Sequence, residues 1–199
     1  RLVSAMAEMN DSFNEVTAEM LKVISDYDSV TGFQGAYNIR QDSMCAGRKN
    51  SENITIESKT DKPGINIRVK PGTKGETVYI PACVTHSNVD DLVYNDFFIG
   101  EGADVTIVAG CGVHSDGSET ARHNGIHRFF LEKGAKVLYK EKHIGTGKGT
   151  GLRKIDPVTD AYLKEDSYLE MDTVQLRGVD RTTRSTSAVL DKGAKIVAV

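Results

Sequence analysis

Apolar residues near the start of the chain recur with the period of an α-helix. Steps of four and three residues connect Leu2, Met6, Met9, Phe13, Val16, Met20, Val23 and Tyr27. Charged side chains occupy the opposite face, and this arrangement predicts an amphipathic helix within residues 1–30 that ends before Gly32. Because the apolar stripe is short, we favour a helix docked on its own domain over a coiled-coil or partner-binding helix.

From about residue 33 onward the period of the apolar positions changes to two, and short segments alternate apolar with polar residues, as strands with one buried face do. Turn residues separate the alternating segments at intervals near ten residues, and no second helix of comparable length is evident. The predicted strands are Asn53–Glu57, Ile65–Lys70, Thr77–Ile80, Tyr94–Ile99, Val105–Val108, Arg128–Leu131, Val137–Glu141, Thr173–Arg177 and Ile196–Val199. We therefore expect a mainly β domain over residues 31–199.

One short pattern, charged–Gly–Ala–charged–aliphatic, occurs three times and starts at Glu101, Lys133 and Lys192. Glycine supplies the left-handed backbone that a tight corner needs, and alanine fits the cramped inside of that corner. The first and second copies are 32 residues apart, and the second and third are 59 residues apart. These intervals equal about one and two coils of roughly 30 residues each. This register favours a parallel β-helix, a solenoid of stacked coils, over a sandwich or barrel that reuses one turn.

Composition and charge exclude several classes of function. The 199 residues include 25 Lys and Arg against 28 Asp and Glu, a net charge of −3, which gives no electrostatic case for a nucleic acid or an anionic membrane as partner. No apolar run approaches the length of a transmembrane helix. The three cysteines are widely spaced and odd in number, which favours a reducing, cytoplasmic location. The chain begins at Arg1 and stops inside a predicted strand, so we expect a fragment of a longer protein.

The segment from residue 111 to residue 127 holds four residues with metal-binding side chains: Cys111, His114, His123 and His127. One thiolate and three imidazoles form a reasonable tetrahedral set for zinc or another borderline cation. The spacing is short for a zinc finger, and no C-x2-C pair is present, so solvated loop histidines are the competing interpretation. A structural zinc site is one functional alternative.

A second alternative is a β-helix enzyme that acts on carbohydrate through carboxylates on one outer face. Its candidate residues are Asp90, Asp91, Asp156, Asp160 and Asp166. Scattered single aspartates are more often solvated turn residues, so this interpretation requires that at least two of them converge in a groove.

Three motifs together resemble the SufB/SufD family of iron–sulfur cluster assembly proteins, especially its short stand-alone members. They are the segment 111–117 (CGVHSDG), the segment 123–127 (HNGIH) and the segment 139–143 (YKEKH), supported by 177–182 (RGVDRT) and 191–194 (DKGA). The resemblance extends from about residue 30 to the end of the chain. It implies a right-handed parallel β-helix flanked by helical segments, and members that pair through their β-helices.

The resemblance also implies a function and partners. We expect a non-catalytic scaffold that transiently holds iron or an iron–sulfur cluster and forms a homodimer. We expect an ABC-type ATPase, SufC, to bind a C-terminal helical region that follows the end of this chain. The family's known cluster ligands lie near the C-terminal end of the β-helix, so Cys111 and the nearby histidines are not equated with them.

Overall fold

The computed structural model describes residues 11–199, in which one helix, α1 (Glu15–Ile24), precedes the β structure. The Asn14 side chain accepts a hydrogen bond from the backbone N–H of Thr17 and caps the start of the helix. The helix ends at Ile24 and not, as predicted, near Gly32, because Ser25 caps it and Asp26 takes a left-handed backbone conformation with φ 54°. The predicted helical positions Leu2, Met6 and Met9 lie outside the described residues.

Helix α1 packs on its own domain, as the favoured interpretation of its stripe predicted. Met20, Leu21 and Ile24 are buried in one cluster with residues of the β domain. Gly110 and Gly112 let the helix approach closely, since a side chain at either position would collide with Ile24 or Met20.

Seventeen strands follow α1 in the described part of the chain. They are β1 (Ala36–Gln41), β2 (Met44–Lys49), β3 (Ile54–Ser58), β4 (Gly64–Val69), β5 (Lys74–Tyr79), β6 (Ala82–Val84), β7 (Asp90–Ile99), β8 (Asp104–Val108), β9 (Cys111–His114), β10 (Ala121–Leu131), β11 (Lys136–Thr146), β12 (Arg153–Ile155), β13 (Val158–Leu163), β14 (Tyr168–Arg177), β15 (Arg181–Thr182), β16 (Ser185–Leu190) and β17 (Lys195–Ala198). Only β1–β2 and β3–β4 pair antiparallel, and every other pairing of these strands is parallel.

The parallel strands stack into the coils of a solenoid with about four turns. One wall contains β4, β7, β10, β13 and β16, and the facing wall contains β5, β8, β11, β14 and β17. Residues in register along the first wall, such as Tyr94, Ile126, Val158 and Ser185, differ by 32, 32 and 27 positions. The predicted mainly β solenoid is therefore confirmed.

The repeated Gly-Ala pattern forms the corners between the two walls. Gly102, Gly134 and Gly193 all have φ between 68° and 74°, and the alanines that follow the first two are fully buried. The corner between the second and third copies contains Asp166 with φ 58° in place of glycine. The gap of 59 residues is therefore two coils, one of which turns without the Gly-Ala signature.

The interior of the solenoid is apolar near these corners. Phe97 and Phe129 stack there with ring centroids 4.7 Å apart, and Tyr139 packs against both rings. Stacking identical positions of successive coils in this way buries a continuous core. No helix in the described part of the chain is both long and apolar enough to cross a membrane.

Candidate metal centre

The interior of the solenoid changes from apolar to polar along two strands that face each other. In β10 and β11 every second side chain points inward, beginning with apolar residues next to the Gly134 corner. Further from the corner the same inward positions hold His127 and His123 in β10 and Glu141 and His143 in β11. All four side chains are almost fully buried, although strand alternation normally reserves such positions for apolar residues.

Three of the interior side chains form a group whose geometry suits a metal ion. Ligand atoms of Cys111, Glu141 and His143 lie within 4.8 Å of one another, and all three residues are buried. His143 stands in register with Cys111, which is one coil earlier in the stack. Nε2 of His143 is 3.4 Å from Oε2 of Glu141, while neither ring nitrogen of His143 has a hydrogen-bond partner among the described residues.

Glu141 is the charged centre of this group. Its Oε1 accepts a hydrogen bond of 3.1 Å from the Tyr139 hydroxyl, and its Oε2 accepts one of 2.6 Å from Nη2 of Arg184. Burial alone would raise the pKa of Glu141, but His143, His127 and Arg184 outweigh that effect and lower the pKa to about 2. The carboxylate is therefore ionised at neutral pH and attracts a cation.

The thiol of Cys111 has the opposite tendency. Burial, reinforced by the negative charge of Glu141, raises the pKa of Cys111 well above its ordinary value. The thiol therefore keeps its proton until a metal ion displaces it, because a bound cation stabilises the thiolate. A thiolate, an imidazole and a carboxylate together suit borderline cations such as Fe²⁺ and Zn²⁺.

His123 belongs to a separate chain of polar contacts inside the same solenoid. Its Nδ1 lies 3.0 Å from Oδ2 of Asp91, which is one coil earlier in the stack. Arg40 donates to the same carboxylate from Nη2 at 2.8 Å and from Nε at 3.1 Å. Asp91 is fully buried, and its contacts with His123 and Arg40 overcome the effect of burial and hold its pKa below the ordinary range.

His127 lies between the two polar groups. Its ring stacks on Phe97 and meets the edge of Tyr139, and neither ring nitrogen has a hydrogen-bond partner among the described residues. Burial lowers its pKa to about 4. His127 is therefore neutral near pH 7, which is the protonation state in which imidazole binds metals.

The predicted set of Cys111, His114, His123 and His127 does not meet as a single cluster. Cys111 points into the solenoid, whereas His114 lies on the opposite face of β9 and bonds Thr146 from Nδ1 at 2.7 Å. His114 lines a groove beside α1 instead of the interior. Residues three apart in a strand lie on opposite faces, and this alternation separates the pair.

Comparison with known proteins gives three curated relatives. An iron–sulfur cluster assembly SufBD family protein of Archaeoglobus fulgidus is 33% identical over 98 residues, which are 48% of this chain and 26% of that protein. Proteins given the same family name in two strains of Methanothermobacter thermautotrophicus are 32% and 30% identical over 89 residues, 44% of this chain and 21% of each relative. The chain therefore resembles SufB/SufD family proteins over about half of its length, which supports the family that its motifs predicted. It covers about a quarter of the length of these SufB/SufD relatives.

No protein-family model matches the chain. No solved structure matches it significantly either. The resemblance to the family therefore rests on the three relatives, and the solenoid is consistent with the β-helix that the resemblance implied.

Two members of the candidate metal centre, Glu141 and His143, carried no predicted role. The sequence contained a signal for both residues. If the alternation of the predicted strand Val137–Glu141 is extended to residue 143, both side chains point inward. The interval of 32 residues between the Gly102 and Gly134 corners also separates Cys111 from His143. Combining the two periods would have placed the three residues together.

The aspartates of the carbohydrate-active alternative do not converge in one groove. Asp91 points into the solenoid, Asp160 accepts a hydrogen bond from Ser187 on an exposed face, and Asp166 lies at a corner. Asp156 pairs with Arg122 at 2.8 Å. Asp90 is exposed at the start of β7. The contacts of these five aspartates do not show the two carboxylates on either side of one bond that a glycosidase needs.

Proposed function

We propose that this chain is a scaffold for iron–sulfur cluster assembly, in which Cys111, Glu141 and His143 hold iron of a nascent cluster. The observation that carries the proposal is the group of these three ligand atoms within 4.8 Å in the interior of the solenoid. The three relatives are named as iron–sulfur cluster assembly proteins of the SufBD family, and this supports a role in the same process.

The setting of the group suits transient binding of a metal cargo. The ligands are fixed by hydrogen-bonded strands of adjacent coils, so their positions do not depend on a flexible loop. Burial restricts water and oxidants around the Cys111 thiol. Release of the thiol proton on metal binding makes loading depend on pH, which gives the scaffold a way to bind and release iron reversibly.

Arg184 offers a route between the interior and the surface. Its side chain is 28% exposed, yet it donates to the buried Oε2 of Glu141. The guanidinium therefore supplies the positive charge that an incoming metal ion would replace. In this proposal iron enters where Arg184 leaves Glu141.

Association with an ABC-type ATPase, pairing into a homodimer and a cytoplasmic location are parts of the same proposal. The family resemblance and three free cysteines support them. Co-purification of an ABC-type ATPase with the full-length protein, and light scattering of that protein, test the two partnerships. A full-length protein that is monomeric and retains no ATPase would contradict both.

The metal proposal is tested on protein purified without oxygen. Iron, zinc and acid-labile sulfide are measured in the wild type, in Cys111→Ser and in His143→Gln, before and after incubation with Fe²⁺ and sulfide. We expect iron with sulfide in the wild type and loss of the sulfide, and of the iron bound with it, in both variants. Cys45→Ser is the matched control, because Cys45 lies near the surface and outside the group.

Three results would contradict the proposal. Equal iron content in Cys111→Ser and the wild type would remove Cys111 from the site. Stoichiometric zinc without iron would establish the structural zinc alternative instead. Absence of any metal before and after incubation would leave the group as buried polar side chains without a cargo.

A further inference from the structure

A second set of potential metal ligands lies in the solenoid, within a single strand. Residues 123, 125 and 127 of β10 all point inward, and the middle one is a glycine. A Cβ atom at Gly125 would lie 3.2 Å from Nε2 of His123 and 2.7 Å from Nε2 of His127. A side chain at this position would collide with His127 and crowd His123, so glycine is what lets both ring nitrogens approach this point of the strand, and we call the arrangement the imidazole notch.

The hydrogen bond from His123 to Asp91 fixes which nitrogen of His123 faces the notch. Nδ1 is engaged with the carboxylate at 3.0 Å, so Nε2 is left as the nitrogen with a free lone pair. Arg40 holds the carboxylate from its other side. Histidines that bind metals usually have such a carboxylate on the second nitrogen, because it sets the tautomer and increases the basicity of the ligand.

His127 contributes the second, independent observation. Both of its ring nitrogens are buried and have no hydrogen-bond partner among the described residues, while Phe97 and Tyr139 pack against the ring. Leaving a buried polar atom unpaired is unfavourable, because the atom has lost its contacts with water and gained none. A ligand in the notch would accept the lone pair of Nε2 and remove that cost.

We infer that His123 and His127 form a binding site for a divalent transition-metal ion, distinct from the group of Cys111, Glu141 and His143. Two imidazole ligands favour Fe²⁺, Co²⁺, Ni²⁺ or Zn²⁺ over Mg²⁺ and Ca²⁺, which prefer oxygen ligands. Asp91 is a positioning residue that acts through His123. The inference rests on the geometry of β10 and does not depend on the proposed function.

The test uses Co²⁺, whose visible absorption reports its ligands, in a protein whose first metal group is disabled by Cys111→Ser and His143→Gln. Metal-free protein is titrated and followed by calorimetry and absorption. We expect one Co²⁺ per chain, and no comparable binding of Mg²⁺. Adding Asp91→Asn should weaken binding about 10- to 100-fold, as expected for a residue that orients a metal ligand.

Gly125→Ala is the sharpest variant because it retains both histidines and fills only the notch. We expect it to lose Co²⁺ binding, as His127→Gln does. Gly117→Ala is its matched control, since a Cβ there meets only ordinary contacts with Ser87, and His114→Gln is the control for removing an imidazole. Circular dichroism of each metal-free variant separates loss of the site from loss of the fold.

Two outcomes would overturn the inference. One is the absence of Co²⁺ binding by the folded protein with the first metal group disabled. The other is unchanged affinity in folded Gly125→Ala and His127→Gln, which would place the bound ion elsewhere. Loss of Co²⁺ binding in Gly125→Ala but not in Gly117→Ala would support the site even if a histidine variant failed to fold.

Discussion

Phe129 and Phe130 are adjacent in sequence but lie on opposite sides of the solenoid wall. Phe129 is fully buried and stacks on Phe97 in the interior, whereas Phe130 stacks between Phe98 and Tyr162 on the outer face. We expect Phe129→Ala to reduce the free energy of unfolding by about 3–5 kcal/mol, because it leaves an interior cavity. Phe130→Ala should cost only about 1–2 kcal/mol, from lost stacking and partial burial. Urea denaturation of the two variants measures the difference, and equal costs would contradict the assignment of the faces.

The buried carboxylate of Asp91 stabilises the solenoid through Arg40 and His123. Asp91→Asn keeps the shape of the side chain but leaves the Arg40 guanidinium without its counter-charge, so we expect a loss of about 3–5 kcal/mol. Asp160→Asn is the control, because the Asp160 carboxylate accepts a hydrogen bond from Ser187 on an exposed face. This substitution should reduce the free energy of unfolding by less than about 1 kcal/mol. Chemical denaturation at neutral pH gives both values. A small effect at Asp91 would show that Arg40 finds another partner or water.

The low pKa of His127 makes the metal-free protein sensitive to mild acid. The folded-state pKa of about 4 lies below the ordinary histidine pKa of 6.5, so the unfolded chain binds the proton more readily between these values. Stability should therefore fall as the pH decreases from 6.5 to 4, by about 3 kcal/mol from this residue. The His127→Phe variant has a ring that does not titrate, so it should not show this part of the loss of stability.

Other groups face His127, and their contributions need to be separated. Glu141, His123, Arg184 and His143 all lie close enough to affect its charge. The pKa of Glu141 is about 2, so the stability that this residue provides is lost below pH 4.5, a lower window than that of His127. Unfolding free energies of the wild type and of His127→Phe, measured from pH 8 to pH 3.5, check the prediction. Parallel curves above pH 4.5 would contradict it.

The three thiols differ in accessibility, and a labelling experiment reports this directly. Cys45 is half-buried, whereas Cys83 and Cys111 are buried and have raised pKa values. We expect one thiol per chain to react rapidly with a thiol reagent in the folded, metal-free protein and three to react in denaturant. In Cys45→Ser the rapid reaction should disappear. A rapid reaction that persists would indicate that the interior opens on the time scale of labelling.

The corner glycines provide a test of the backbone. Nothing lies within 4 Å of a Cβ built on Gly134, so the cost of Gly134→Ala comes only from its φ of 68°. That cost is about 1–2 kcal/mol, and Gly134→Asn should cost less because asparagine tolerates this conformation better. Thermal or urea denaturation distinguishes the two variants. Equal stability of Gly134→Ala and the wild type would mean that the corner can adopt another backbone conformation.

Much of the architecture followed from local patterns. Alternation in segments such as Ile65–Lys70 predicted strands, and the spacing of the Gly102 and Gly134 corners predicted the coil length. The end of α1 was missed because apolar spacing continued to Tyr27, while the termination depends on the Ser25 cap and the backbone of Asp26. The corner at Asp166 was missed because an aspartate there adopts the conformation that glycine has in the other corners.

The sequence by itself determined that alternating aliphatic segments and repeated corners would build a solenoid, because both signals lie within a few neighbouring residues. Only the tertiary structure decided which polar residues share its interior. Stacking in register brings His143 over Cys111 and His123 over Asp91, each from a different coil, while strand alternation turns His114 to the other face. The composition of the metal centre therefore depends on the register between distant segments. A short-range pattern predicts that register only when the coil length and the two-residue period of the strands are used together.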